Sequence, residues 1–278
     1  MQKIDWESAI NARRSTRVYQ ERAVEESKMD LLKGFIGDLR VPFEHGVKVR
    51  LFKTNPDKRL YTVFRAPPDG AAFLSETDVR SISAAGFVGE TLVLYATSLG
   101  LSTCWYGHYS LAELESIMPH LGPHASSPMP RWGYGSNTLQ GVRAICITPL
   151  GYAETKGLRF PDRLTGMLFS HRRKPVGAFL EGGMTEERLP AGLLYALDLA
   201  RKAPSAVNSQ FWRFGVSPDF KVVSISRPVG YRHMKWEHPD VDIGICACHF
   251  WLGLLMSNVG CDVSLTEEQG RAVWRFQP

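Results

Sequence analysis

From Ile243 to Cys261 the chain runs for 19 residues without a formal charge (IGICACHFWLGLLMSNVGC). A stretch this long and apolar has two outlets: it spans a bilayer, or the protein's own core encloses it as a helix. Asp242 and Asp262 bracket the run, no basic anchor adjoins it, and His249, Ser257 and Asn258 lie within it. Membrane anchors prefer basic flanks, so the expectation is an enclosed helix, capped by Asp242, and no membrane. Enclosing such a helix demands a shell of other elements, and 278 residues can supply one.

A second apolar helix is expected over 86–100 (GFVGETLVLYATSLG). Phe87, Leu94, Tyr95 and Leu99 recur there at helical spacing, and Gly100 is a natural stop. Similar short elements surround each long helix. In the first part, Asp5 caps a helix through Trp6, Ala9 and Ile10. An amphipathic helix follows over 25–37, with Leu31, Leu32, Phe35 and Ile36 inward. Residues 47–53 alternate as a strand, 56–80 read as loop, and 101–105 read as a buried strand. A short helix over 111–118, a loop over 120–137 and a strand over 142–148 complete this part.

The composition changes near Gly166. Arg172-Arg173-Lys174 and Gly182-Gly183 resemble a linker, and Thr185-Glu186-Glu187 caps a helix through Leu193, Leu194, Leu197 and Ala200. Strands are expected at 212–216, 222–226, 262–265 and 272–276. The two parts therefore echo one another without a strict sequence repeat.

Hydrophobic residues at 44% and charged residues at 22% exclude disorder as the main state. Five cysteines, an odd number without framework spacing, exclude a disulfide scaffold. Free thiols and the polar start MQKIDWESAI lead us to expect a cytoplasmic protein. The net charge of +5 raises nucleic-acid binding, but aromatics are not interleaved with the arginines, as single-strand platforms require. No G-x-G-x-x-G, P-loop, G-x-S-x-G or H-E-x-x-H occurs. Cys246-x-Cys248-His249 looks like half a metal site, yet no second ligand pair follows, and small core residues are the better reading. Cys104 lies in an apolar strand without a neighbouring base, which favours packing.

Three constellations carry more chemistry. Arg13-Arg14-Ser15-x-Arg17 ends a helix in guanidinium forks that suit a phosphate. Read alone, it is better taken as a solvated basic helix end that complements the macrodipole. Ala203-Pro204-Ser205-Ala206-Val207-Asn208-Ser209-Gln210-Phe211-Trp212 ends a helix at Pro204 and crowds donors and acceptors onto a rigid loop. Gly100 to Gly107, through Trp105 and Tyr106, ends a strand in glycine, where backbone N–H groups can approach a ligand closely.

Taken together, NARRSTRVY (11–19), GETLVLYATSLGLSTCWYG (89–107), ITPLGYAE (147–154) and RKAPSAVNSQFWRF (201–214) resemble the FMN-dependent nitroreductase family. The family's APS-x-x-N element usually follows RRS closely. Here it stands in the second part, as in the branch whose single chain is a tandem of two degenerate halves. DIGICACHF (242–250) fits that branch. Phe211 replaces the family's usual proline of Q-P-W.

The resemblance implies an α+β nitroreductase-like fold. Each half, 1–166 and 167–278, would hold a mixed, mainly antiparallel sheet flanked by helices. The halves would interlock as an intrachain pseudo-dimer, neither folding well alone, so a monomer would do the work of the family's homodimer. One composite FMN site would remain, the other being lost. Arg13, Arg14 and Ser15 would hold the FMN phosphate and ribityl oxygens, with Lys156 and Arg159 completing the clamp. Arg17 would lie near the flavin N1 and O2, and Trp105 would belong to the site. The backbone at Tyr106 or Gly107 would face N5. Pro204, Ser205 and Asn208 would reach the ring from the other half. NAD(P)H would be the transient reductant, and a nitroaromatic, quinone or similar small molecule the electron acceptor. The alternative is a flavin-binding or sensing protein with little turnover.

Overall fold

A computed structural model describes residues 4–61, 64–119, 133–134, 142–154, 172–233 and 236–278. Its centre is a pair of crossed helices, α3 (Val79–Ser98) and α6 (Pro239–Met256). Asp78 starts α3 by accepting the N–H groups of Arg80 and Ser81, which satisfies donors that every helix start leaves open. Pro239 starts α6 at a position where its missing N–H costs nothing. Asp242 is not its cap. It sits inside the first turn, buried, with its carboxylate turned to another loop.

Glycines set the crossing. A Cβ on Gly86 would collide with the Val241 carbonyl, and one on Gly244 would collide with the Ser83 carbonyl. Gly86 stands three residues after Ser83, and Gly244 three after Val241. The helices therefore meet reciprocally, each glycine under the other's backbone, as about a two-fold axis.

The elements around this axis repeat. In the first half, α2 (Glu26–Gly37), β1 (Lys48–Lys53) and β2 (Asp69–Ser75) lead into α3. In the second, α5 (Ala191–Ala200), β6 (Arg213–Val216) and β7 (Val223–Ser226) lead into α6. The first sheet is antiparallel in the order β1-β2-β5, with β5 spanning Arg143–Leu150. The second is antiparallel in the order β6-β7-β9-β8, where β8 is Asp262–Glu268 and β9 is Arg271–Gln277. A short pair, β3 (His108–Tyr109) and β4 (Gly133–Tyr134), lies beside α4 (Leu111–Ile117). The first helix, α1 (Trp6–Ala12), is capped by Asp5. The fold is α+β, built of two halves that repeat the same order of elements.

Four sequence expectations change. Residues 69–75 form a fully buried central strand rather than loop. Residues 101–105 form no strand, only isolated bridges such as Ser102 to Gly151. Leu31 is 50% exposed, and Met29 takes the inward place with Leu32. The helix expected from Thr185 is split: a single 3-10 turn at 186–188, then α5 after Pro190. The loop expected at 120–137 lies almost wholly outside the described residues, as does the boundary between 166 and 167.

The uncharged run is an enclosed core helix. Helix α6 is long and apolar enough to cross a membrane, yet 83% of it is buried inside the protein. Cys246, Cys248 and His249 are fully buried on it, and the Cys246 thiol faces the Ala200 carbonyl at 3.5 Å.

Candidate functional site

Arg13 ends α1 and is only 6% exposed. Its Nη1 donates a long bond of 3.4 Å to Ser15 Oγ. Its Nε–H is buried and meets no hydrogen-bond partner among the described residues. Burial lowers its pKa, opposed by Glu90. Thr16 N–H donates to the Thr103 carbonyl, which docks this segment on the 101–107 turn. Arg14 is exposed and donates to the Asn11 and Arg13 carbonyls. Arg17 is half-buried, its Nη1 3.3 Å from the Ser15 carbonyl.

Across the turn, Trp105 Nε1 donates to Glu90 Oε2 at 2.6 Å. Tyr106 exchanges both backbone bonds with Ile147 at 2.9 Å. Its N–H is therefore engaged, which narrows the pair of expected backbone donors to Gly107. Gly107 has no room for a side chain, because the ring of Trp236 from the second half lies directly against it.

The 203–210 loop is held from behind. Gln210 N–H donates to Ser205 Oγ at 3.0 Å, and Ala206 N–H to Asp242 Oδ2 at 2.8 Å. Pro204 is buried at its start. Val207, Asn208 and Gln210 all have positive φ, at 47°, 56° and 49°. A β-branched residue in that region is strained, and such strain clusters at ligand sites. Val207 is also 56% exposed, so packing does not explain its conformation.

Asn208 is bonded to the start of the second half rather than directed at open space. Its Nδ2 donates to the Arg172 carbonyl at 3.1 Å, and its Oδ1 accepts from Arg173. Arg173 also reaches the Lys202 carbonyl at 3.2 Å. Burial, with Arg13, Arg14 and Arg201 as positive neighbours, holds Arg173 down to about 10. Lys202 Nζ meets Asn11 of α1 at 3.1 Å. The structure thus brings Arg13 and Arg14 of the first half beside Arg173 and the Asn208 loop of the second. Lys156 and Arg159 lie outside the described residues.

Arg173 lies in HRRKP (171–175), which reads as linker and also stands where an arginine motif of the second half would fall. Sequence reasoning misses Glu90 and its partner. Glu90 was passed over within an apolar helix, where a lone charge is itself a signal of a buried partner. That partner is His249, whose Nε2 lies 2.8 Å from Glu90 Oε1, both side chains fully buried.

A buried guanidinium among three further arginines fits an anionic group such as a phosphate. The loop behind it rests on a buried carboxyl, that of Asp242. Burial pushes Asp242 up to about 8, against the lowering effect of the Ala206 N–H. Its ordinary value is 3.8, so between 3.8 and about 8 the folded state keeps a proton that the unfolded chain releases. Stability from this group is full below that window and falls as pH rises through it. Asp242→Asn keeps an oxygen for Ala206 and removes the titration. Its melting temperature should exceed the parent's by several degrees at pH 8, the two converging near pH 4. Parallel pH profiles for the two proteins would contradict this.

The family model described as "Putative TM nitroreductase" matches residues 5–117 and 130–254. A solved Thermotoga maritima protein described as a "putative nitroreductase" superposes with a TM-score of 0.62 at 22% identity. The match covers 100% of this chain and 95% of that one. A nitroreductase family protein of Clostridium difficile gives 0.41 at 17% identity, covering 64% of this chain and 97% of that one. A nitroreductase with bound FMN from Bacteroides fragilis gives 0.36 at 15%, covering 56% and 92%. No curated protein matches the sequence. With most of the chain inside one family model, reaching into both halves, the chain belongs to this nitroreductase family.

Proposed function

We propose that the chain is an FMN-dependent oxidoreductase that carries hydride from NAD(P)H to a small electron-poor acceptor, a nitroaromatic or a quinone. The observation that carries this reading is the gathering of buried Arg13 and its neighbour Arg14 from the first half beside Arg173 from the second. The family supplies the flavin as the natural anion for it.

In this reading Arg13, Arg14, Ser15 and Arg173 hold the phosphate, with Lys156 and Arg159 assigned to the same clamp. Arg17 stands toward the pyrimidine edge, where a cation stabilises negative charge on the reduced ring. Gly107 presents its N–H toward N5, and Trp105 supports that turn from Glu90. Pro204, Ser205 and Asn208 border the ring from the second half. When bound, the flavin would supply the hydride chemistry, and the protein would orient both partners and balance charge.

One site per chain is expected. The first-half loop matching 203–210 lies between α2 and β1, lacks an APS-x-x-N element and carries Phe43. Its ring packs 5.0 Å from Phe87 and 4.8 Å from Trp274, centre to centre. A second reading, a flavin-binding or sensing protein with little turnover, is favoured by Trp236 lying on Gly107.

Purified protein should be yellow and hold one FMN per chain. NADH or NADPH should bleach it without oxygen, and menadione or a nitroaromatic should restore the colour. Binding without bleaching selects the second reading, and two FMN per chain refutes the single site. Arg13→Ala and Asn208→Ala should each weaken FMN binding by roughly 10- to 100-fold, the range for bonds to charged groups. Unchanged affinity in Asn208→Ala would remove the second half from the site.

A further inference from the structure

We propose that Glu90 is a positioning residue for the anion-binding arginine, holding Arg13 through the same carboxylate oxygen that it shares with His249. The ligand is the FMN of the reading above, so the inference rests on that reading for its ligand but not for its geometry.

Glu90 is reached from three elements. Arg13 Nε, at the end of α1, stands 4.0 Å from Oε1. Trp105 Nε1, from the 101–107 turn, donates to Oε2 at 2.6 Å. His249 Nε2, from α6 in the second half, stands 2.8 Å from Oε1. Glu90 and His249 are sealed from water, at 0% exposure. The other charged groups acting on this node are Arg173, Arg14 and Arg17.

Hydrogen-bond accounting fixes the protons. His249 Nδ1 faces the Leu199 carbonyl at 3.2 Å. A carbonyl only accepts, so Nδ1 carries a hydrogen. One further proton then lies between Nε2 and Glu90 Oε1. The pair is neutral as a whole wherever that proton sits, while Oε1 presents its negative side to Arg13. Such an arrangement sets the direction of the guanidinium, leaving its terminal nitrogens for a ligand.

Glu90→Gln separates this role from packing. With Nδ1 protonated, Nε2 of neutral His249 can only accept. The glutamine NH2 must therefore face His249, and its oxygen must accept from Trp105. Both of those bonds survive, and the pair stays neutral. The NH2 now replaces the oxygen nearest Arg13, so attraction becomes repulsion between donors. His249→Gln does the reverse: its NH2 can donate to Oε1, and Glu90 keeps its hold on Arg13.

Three measurements test this on the full chain. Glu90→Gln should melt with the parent, bind FMN at least about tenfold more weakly, as outer-shell substitutions do, and shift the Arg13 Nε–H resonance. His249→Gln should bind FMN within about threefold of the parent, below that range. Equal losses in both variants would show that Glu90 acts by packing across the helix crossing, and would overturn the proposal. So would an Arg13 Nε–H signal unmoved in the ligand-free Glu90→Gln protein. If Glu90→Gln fails to fold, His249→Gln with weakened binding is the overturning result and retained binding the supporting one. A parent that binds no FMN, with the resonance still shifted by Glu90→Gln, removes the flavin reading and leaves the positioning intact.

Discussion

Gly244→Ala should lower stability by about 3 kcal/mol or more, at the upper end for overpacked interiors. Most overpacking is relieved by a side chain changing rotamer, and that route is closed here. The atoms that a Gly244 Cβ would strike belong to backbone, the Ser83 carbonyl and the Phe87 nitrogen. The only relief is to part α3 from α6, which loosens every contact along the crossing. Gly86→Ala should behave alike, because its Cβ would strike the Val241 backbone. The double variant should cost less than the two singles combined, since one separation of the helices accommodates both methyl groups. Gly34→Ala is the control. It lies within α2 with nothing within 4 Å of its Cβ position, and alanine there should gain up to ~1 kcal/mol from helix propensity. Denaturant unfolding of the four variants reads the signs directly. A Gly244→Ala protein as stable as Gly34→Ala would mean that the helices do not cross at these glycines.

The two long helices were legible because apolar runs of that length leave few alternatives. Their boundaries were less so. Helix α3 begins at Val79, two turns before the apolar stretch, because Asp78 caps a polar first turn of Arg80 and Ser81. Strand β2 was illegible for a different reason. DGAAFLS is buried on both faces, so it shows no alternation, and the flanking prolines resemble loop punctuation. The site divides along similar lines. Arg13 and the Asn208 loop could be found because clustered donors are visible in one dimension. Glu90 and His249 could not be paired, since they are distant in sequence and each looks anomalous only within its own helix. Arg173, in HRRKP, reads both as linker and as a remnant of the arginine motif; what decides between them is that the fold returns it to Asn208 and Arg13.

Residues 1–166 and 167–278, produced separately, should not fold, whereas produced together they should assemble and bind flavin. The contacts across the pseudo-twofold axis are those of an interior, not of a docking surface. Trp274 Nε1 of β9 donates to Ser83 Oγ of α3 at 2.9 Å, and its ring lies 5.0 Å from Phe87. Phe87 and Trp274 are 0% exposed and Val241 is 2% exposed. Uncovering these three alone costs about 6 kcal/mol at ~2 kcal/mol each, comparable with the ~5–15 kcal/mol that holds a whole domain. The separated halves also lose the Tyr195 bond to Glu7 at 2.7 Å and the Lys202 bond to Asn11. More decisively, the Glu90–His249 pair is divided, one member to each half. A half that melted cooperatively on its own would show that the chain is two domains that dock. Recovery of a cooperative transition and of bound FMN only on co-production would show one interior contributed by two halves. Arg13 and Glu90 then come from one half and His249, Arg173 and Asn208 from the other, so in this chain the candidate site exists only when the interior does.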